Sequence, residues 1–111
     1  MKKSLIGIAL TGILAAASTG WAQNITILGA GGSTCAKYLG DSASSPAFQS
    51  VYLNWAMGYF TAINVSNAAK AGAKTLNSTS GIEASLKAFC QANPEKNFSD
   101  AVLAYALLNL K

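Results

Sequence analysis

The chain has no histidine and no arginine, and its 111 residues set eight lysines against only four carboxylates. Without histidine, the side chain most often used as a general base is missing. Asp41, Glu83, Glu95 and Asp100 are dispersed, and no serine, threonine or lysine stands in a recognisable nucleophile motif. No catalytic residue is therefore assigned, and the chain is expected not to be an enzyme. Only two cysteines occur, Cys35 and Cys90, without Cys-x-x-Cys spacing. A redox dithiol is disfavoured on that ground, and two sulfurs without an imidazole do not close a metal site. Neither metal nor cofactor is expected. The lysines are scattered, with no basic run and no aromatic interleaving, which argues against a nucleic-acid partner.

Long apolar runs are scarce as well, and the one at the start has the build of an export leader. Lys2 and Lys3 precede Leu5 to Ala17, an apolar stretch of 13 residues, too short to span a hydrocarbon core of about 30 Å. Gly20-Trp21-Ala22 then places small residues where a signal peptidase reads, so residues 1–22 read as a signal peptide cleaved before Gln23. The expected product is periplasmic, has no stable membrane anchor, and keeps six lysines against four carboxylates. Its sparse charge is compatible with a partner-binding face or a homodimer. In an exported protein two thiols ordinarily close into one disulfide. A Cys35–Cys90 bridge would close a loop of about 56 residues, for which chain entropy predicts roughly 4 kcal/mol of stabilisation.

Residues 23–33 read as a flexible glycine-rich lead-in. Gly29-Ala30-Gly31-Gly32 lacks the strand and helix that a phosphate-binding loop needs on either side. Ser33 or Thr34 can cap a short helix through Leu39, with Tyr38 and Leu39 facing the core, Gly40 ending it and Asp41 to Pro46 forming a loop. Residues 47–67 form the spine. Val51, Trp55, Gly58, Tyr59 and Ala62 make one apolar stripe, with Leu53, Ala56, Phe60 and Ile63 beside it. A helix so apolar around its circumference is expected to be central, and Gly58 in its middle suggests close approach of another backbone. Residues 68–79 lose periodicity and read as a frayed helix end and surface loop.

Ser80 and Glu83 match a capping box for a helix that buries Ile82, Leu86, Phe89 and Cys90. Pro94 bars its continuation. A last helix restarts at Asn97 to Asp100, with Phe98, Val102 and Tyr105 on one face and Leu103, Ala106, Leu107 and Leu110 in a second stripe. No strand alternation follows residue 34. The reading is an all-α fold, a small orthogonal helical bundle of about four helices with one disulfide, occupying residues 34–111 as a single domain.

Three groups of residues carry a family likeness. They are Thr34-Cys35-x-x-Tyr38-Leu39, Trp55-x-x-Gly58-Tyr59, and Ile82-x(7)-Cys90-x-x-Asn93-Pro94-x-x-Asn97-Phe98-x-x-Ala101. Together, over residues 34–105, they resemble the HdeA/HdeB-like small periplasmic proteins of Gram-negative bacteria. The resemblance implies an acid-stress chaperone, dimeric at neutral pH, that loosens in acid and holds unfolding periplasmic proteins on exposed apolar surface. It places Cys35 and Cys90 at the bridge and makes Trp55, Tyr59 and Phe60 the candidate dimer or client surface. Four carboxylates are few for an acid switch, which needs groups whose folded pKa lies below the unfolded one. The texture is also similar to periplasmic immunity proteins that plug secreted amidase-type effectors. That likeness implies one specific protein partner and a protruding inhibitor loop around Lys70 and Lys74.

Overall fold

The computed structural model describes residues 25–111; the expected leader at 1–22 and the first two residues of the lead-in lie outside the described residues. One turn of 3-10 helix at Gly29–Gly32 precedes four α-helices: α1 (Cys35–Ser44), α2 (Pro46–Ala68), α3 (Ile82–Ala92) and α4 (Phe98–Asn109). No strand forms among the described residues. The all-α bundle of four helices with one disulfide matches the expectation.

Local chemistry sets the boundaries. Thr34 caps α1, its Oγ1 accepting the Lys37 amide at 3.1 Å. The helix does not stop at Gly40 but runs on to Ser44. A glycine inside a helix costs only about 1 kcal/mol relative to alanine. Here Asp41 is held from one turn back by Lys37 at 3.0 Å and from α2 by the Tyr52 hydroxyl at 2.7 Å. The stop comes from Pro46, which disfavours helical geometry in the residue before it. Ser45 is accordingly extended and caps α2 by accepting the Ala47 amide at 3.1 Å. The expected Asp41–Pro46 loop shrinks to this one residue.

At α3 the expected Ser80–Glu83 box is not formed. Gly81 takes the cap position with φ +71°, a left-handed geometry that glycine adopts without steric cost. The Ser80 carbonyl instead accepts from the Tyr105 hydroxyl at 2.9 Å. At α4, Asp100 accepts the Asn97 amide at 3.0 Å and sets its charge at the positive helix end.

The core gathers around the disulfide. Cys35, Tyr38, Leu86, Cys90, Phe98 and Val102 are fully buried. Such large apolar side chains contribute about 1.5–3 kcal/mol each on burial. Tyr38, Tyr52 and Phe98 pack as a triangle with ring centroids 4.5–5.0 Å apart. The core stripe of α2 is Tyr52, Ala56 and Phe60. The expected first stripe lies elsewhere: Val51, Gly58 and Ala62 are exposed and only Trp55 and Tyr59 are partly buried. On α4 the Phe98, Val102 and Tyr105 face is buried as expected, whereas Leu103 and Leu107 of the second stripe are exposed.

Two main-chain clasps close the bundle. The Cys35 and Ala36 amides at the start of α1 have no intrahelical acceptor. They donate instead to the Lys96 and Pro94 carbonyls at 2.7 and 3.0 Å, and the Phe98 amide donates back to the Ser33 carbonyl at 2.8 Å. The Cys35–Cys90 bond, with Cα atoms 4.8 Å apart, covalently ties the same junction. At the second clasp, Thr75 and Lys111 exchange backbone hydrogen bonds at 3.0 and 3.1 Å. Beside it the Asn64 amide group bonds both main-chain groups of buried Leu76, at 2.7 and 2.8 Å. The expected surface loop is thus exposed at its tip but fastened along its second half.

Candidate functional site: an apolar groove at Trp55

The glycine-rich segment expected to be flexible is a fitted seat for Trp55. Gly29 has φ +73° and lies 3.2 Å, measured from an ideal Cβ, from Trp55 Cδ1. Any Cβ on Gly31 would fall within the six-membered ring of Trp55. The indole therefore lies close against bare backbone, and its Nε1–H donates to the Leu28 carbonyl at 2.8 Å. Glycine is needed here for close approach, not for flexibility.

Around this seat runs an open groove of about 540 Å³ between the incoming segment, α2 and α4. Ile25 and Leu28 form one wall, Trp55 and Tyr59 the floor, and Leu103 the far side. Tyr59 packs on Trp55 with centroids 5.5 Å apart and planes tilted by 32°. Ile25, Leu28 and Leu103 are 72%, 78% and 41% exposed, an unusual outlay of apolar surface for so small a domain. Ser99 and Asp100 supply the polar margin, and the Asp100 carboxylate is already engaged by the Asn97 amide. The volume lies in the range of about 300–1,000 Å³ in which pockets enclose a small ligand or a few side chains. The apolar walls suit binding of apolar groups.

Perturbed titrating groups lie outside the groove. Asp41 is held below its ordinary value of 3.8, first by the Tyr52 hydroxyl and then by Lys37. Burial raises the Tyr52 and Tyr38 phenols above the usual tyrosine value. These groups brace the α1–α2 corner. No cluster of three or more metal-ligating side chains is present among the described residues, and no described helix is long and apolar enough to cross a membrane.

Of the surface residues expected from sequence, Trp55 and Tyr59 sit in the groove. Phe60 does not. It is 4% exposed and packs in the core against Tyr105 with centroids 5.5 Å apart, because it lies one turn from Ala56 on the buried stripe. Lys70 and Lys74 are exposed on the loop after α2, where the Lys74 carbonyl accepts from Asn67 at 2.7 Å. Sequence reasoning missed Ile25, Leu28 and Leu103 of the groove walls and Gly31 of the Trp55 seat. Their only linear signal was a dense glycine cluster upstream of a lone core-region tryptophan. No protein-family model, no curated protein and no solved structure matches the chain.

Proposed function

We propose that this protein is a non-enzymatic holding protein of the bacterial periplasm, which keeps unfolding proteins in solution by taking their exposed apolar segments. The single observation that carries the reading is the open apolar groove at Trp55. A side chain bedded on two glycines, Gly29 and Gly31, is a rigid anchor, and aromatic anchors seated in pockets dominate binding energetics. The likeness to HdeA/HdeB-like proteins supports the same reading and adds acid stress as its setting. In that setting protonation of Asp41 loosens the α1–α2 corner, since its depressed pKa stabilises the fold only while it is ionised.

The test is light scattering of an acid-unfolding periplasmic protein at about pH 2–3, where carboxylates protonate and compact unfolding intermediates aggregate. The oxidised protein is expected to suppress scattering, and Leu103→Lys, at a partly exposed position, to suppress it less. Equal scattering with and without the protein, at every ratio tried, would refute the reading.

A second reading, an inhibitor or immunity protein against an amidase-type effector, draws on the fastening of the Lys70–Lys74 loop by Asn64 and Asn67. A pre-ordered loop loses little entropy on binding one partner. Under that reading Lys70→Glu weakens a single tight complex and leaves scattering unchanged.

A further inference from the structure

The last helix is apolar on the side that nothing covers. Along α4 the solvent face runs through Leu103, Ala104, Leu107 and Leu108, with the three leucines 41%, 65% and 82% exposed. The opposite face, led by Phe98, Val102 and Tyr105, is apolar and buried. A helix hydrophobic around its whole circumference normally lies inside a large protein or a membrane, yet one side of this one meets solvent. At 12 residues it is about 18 Å long, too short to cross a hydrocarbon core of about 30 Å.

Exposed cations gather at the end of this face. Two main-chain hydrogen bonds clasp Thr75 to Lys111, which fixes the neighbouring Lys74 beside the carboxyl-terminal end of α4. The Lys74 carbonyl accepts from Asn67 at 2.7 Å, and the Lys70 carbonyl accepts the Ala73 amide at 3.2 Å, so Lys70 and Lys74 share one turn. Lys70, Lys74 and Lys111 are all exposed. No carboxylate side chain occurs from Ser42 to Ile82 or from Ala101 to Lys111. Asp100 is the one acidic residue on the apolar face. It lies seven residues before Leu107, about 10 Å back along the axis, and its carboxylate is engaged by the Asn97 amide.

Shape and charge select the occupant. The outside of a helix is a convex ridge, and here it presents only aliphatic side chains. A protein partner must match such a ridge with a packed counterpart, whereas a fluid bilayer closes around leucines without one. The lysines are drawn to anionic headgroups, and their long stems lie along apolar surface while the ammonium groups stay in water. Leucines flanked by cations on one short helix have the build of a segment that lies in the membrane interface.

We infer that the protein settles reversibly on anionic phospholipid bilayers, with Leu107 and Leu108 immersed at the headgroup boundary and Lys70, Lys74 and Lys111 against lipid phosphates. The carboxyl-terminal end of α4 leads, and Asp100 stays outside. The inference does not rest on the holding reading, since Trp55 and Tyr59 take no part in the contact.

Flotation of the oxidised, exported protein with phosphatidylcholine vesicles containing about 30% phosphatidylglycerol tests it. The wild type is expected to float with these vesicles at about 0.1 M salt. It should partition at least roughly tenfold less onto phosphatidylcholine alone, or at about 0.5 M salt, where the charges are screened. Lys70→Glu/Lys74→Glu should lower the partition at least roughly twentyfold, since each lysine near an anionic surface contributes about fivefold. Leu107→Gln/Leu108→Gln should lower it at least roughly tenfold by removing two apolar side chains from the contact. Val51→Gln, at an exposed apolar position on α2, should leave it unchanged. All these positions are exposed, so circular dichroism should show unchanged helix content. A wild type that stays in solution, equal partition onto neutral and anionic vesicles, or undiminished binding of the leucine variant would each overturn the inference. So would sedimentation showing that the leucine substitutions only disperse a dimer, which would give the face to a second copy.

Discussion

Replacing Gly31 with alanine adds one methyl group, and the fold gives it no room. The new Cβ would penetrate the six-membered ring of Trp55 at Cζ2, Cη2 and Cε2, far inside the carbon–carbon separation of about 3.5–4.0 Å at which attraction is optimal. Either the indole leaves its seat or the 3-10 turn lifts away. Both routes surrender the hydrogen bond from Trp55 to Leu28, worth about 1 kcal/mol net. They also surrender part of the indole's burial, where full burial of a large side chain is worth about 1.5–3 kcal/mol. The expected loss is roughly 2–3 kcal/mol, which at a urea slope of about 1 kcal/mol per molar lowers the unfolding midpoint by about 2–3 M. Trp55 is the only tryptophan among the described residues, so its emission should shift to the red as the ring meets water. Gly40→Ala is the matched control. Nothing lies within 4 Å of its Cβ, and it should raise stability by up to about 1 kcal/mol through helix propensity. A Gly31→Ala protein with unshifted emission and an unmoved midpoint would refute the seat.

Reducing the Cys35–Cys90 bridge, or replacing both cysteines with serine, should cost about 4 kcal/mol by chain entropy, read as a lower urea midpoint. An unchanged midpoint would show that the closed loop does not constrain the unfolded chain. Asn64→Ala removes both partners of the Leu76 main chain and should cost roughly 2–3 kcal/mol, with faster hydrogen exchange at the Leu76 amide as its local signature. For Tyr52→Phe, the stability lost is the part that depends on ionised Asp41, present above the ordinary carboxylate pKa and lost as pH falls through the depressed one. The melting-temperature gap between wild type and Tyr52→Phe should therefore be open at about pH 6 and close towards about pH 2. A gap of constant width would contradict the Asp41–Tyr52 coupling.

Much of this fold is legible in the residues because much of it is local. Thr34, Pro46, Pro94 and the Asn97–Asp100 pair set helix ends through contacts within four residues, and the apolar spacing of Ile82, Leu86 and Cys90 identifies the buried face of α3. The failures share a cause. Gly29–Gly32 looks flexible when read alone, and its partner Trp55 lies more than twenty residues downstream. Ser80 looks like a cap until Tyr105 claims its carbonyl from α4. Phe60 was placed at the surface by the resemblance, and α2 is apolar on nearly every side, so periodicity alone does not say which side meets α1 and α4. The groove was half legible. Trp55 and Tyr59 came from the family resemblance, while Leu28 and Leu103 reach it only through tertiary placement.

The clasp at the start of α1 has a consequence for the order in which the molecule can assemble. The first two amides of α1, those of Cys35 and Ala36, find their acceptors in Lys96 and Pro94, and its cysteine finds its mate at Cys90. A chain made from its amino end cannot bond these two amides as the fold does until its last third has arrived. Such long-range closure is slow to nucleate. During that interval α2 stands without its neighbours, and Phe60 and Tyr52 are as open to solvent as Phe48 and Val65. An oxidant acting early thus meets Cys35 alone, and its closure with Cys90 marks the moment the chain becomes a domain.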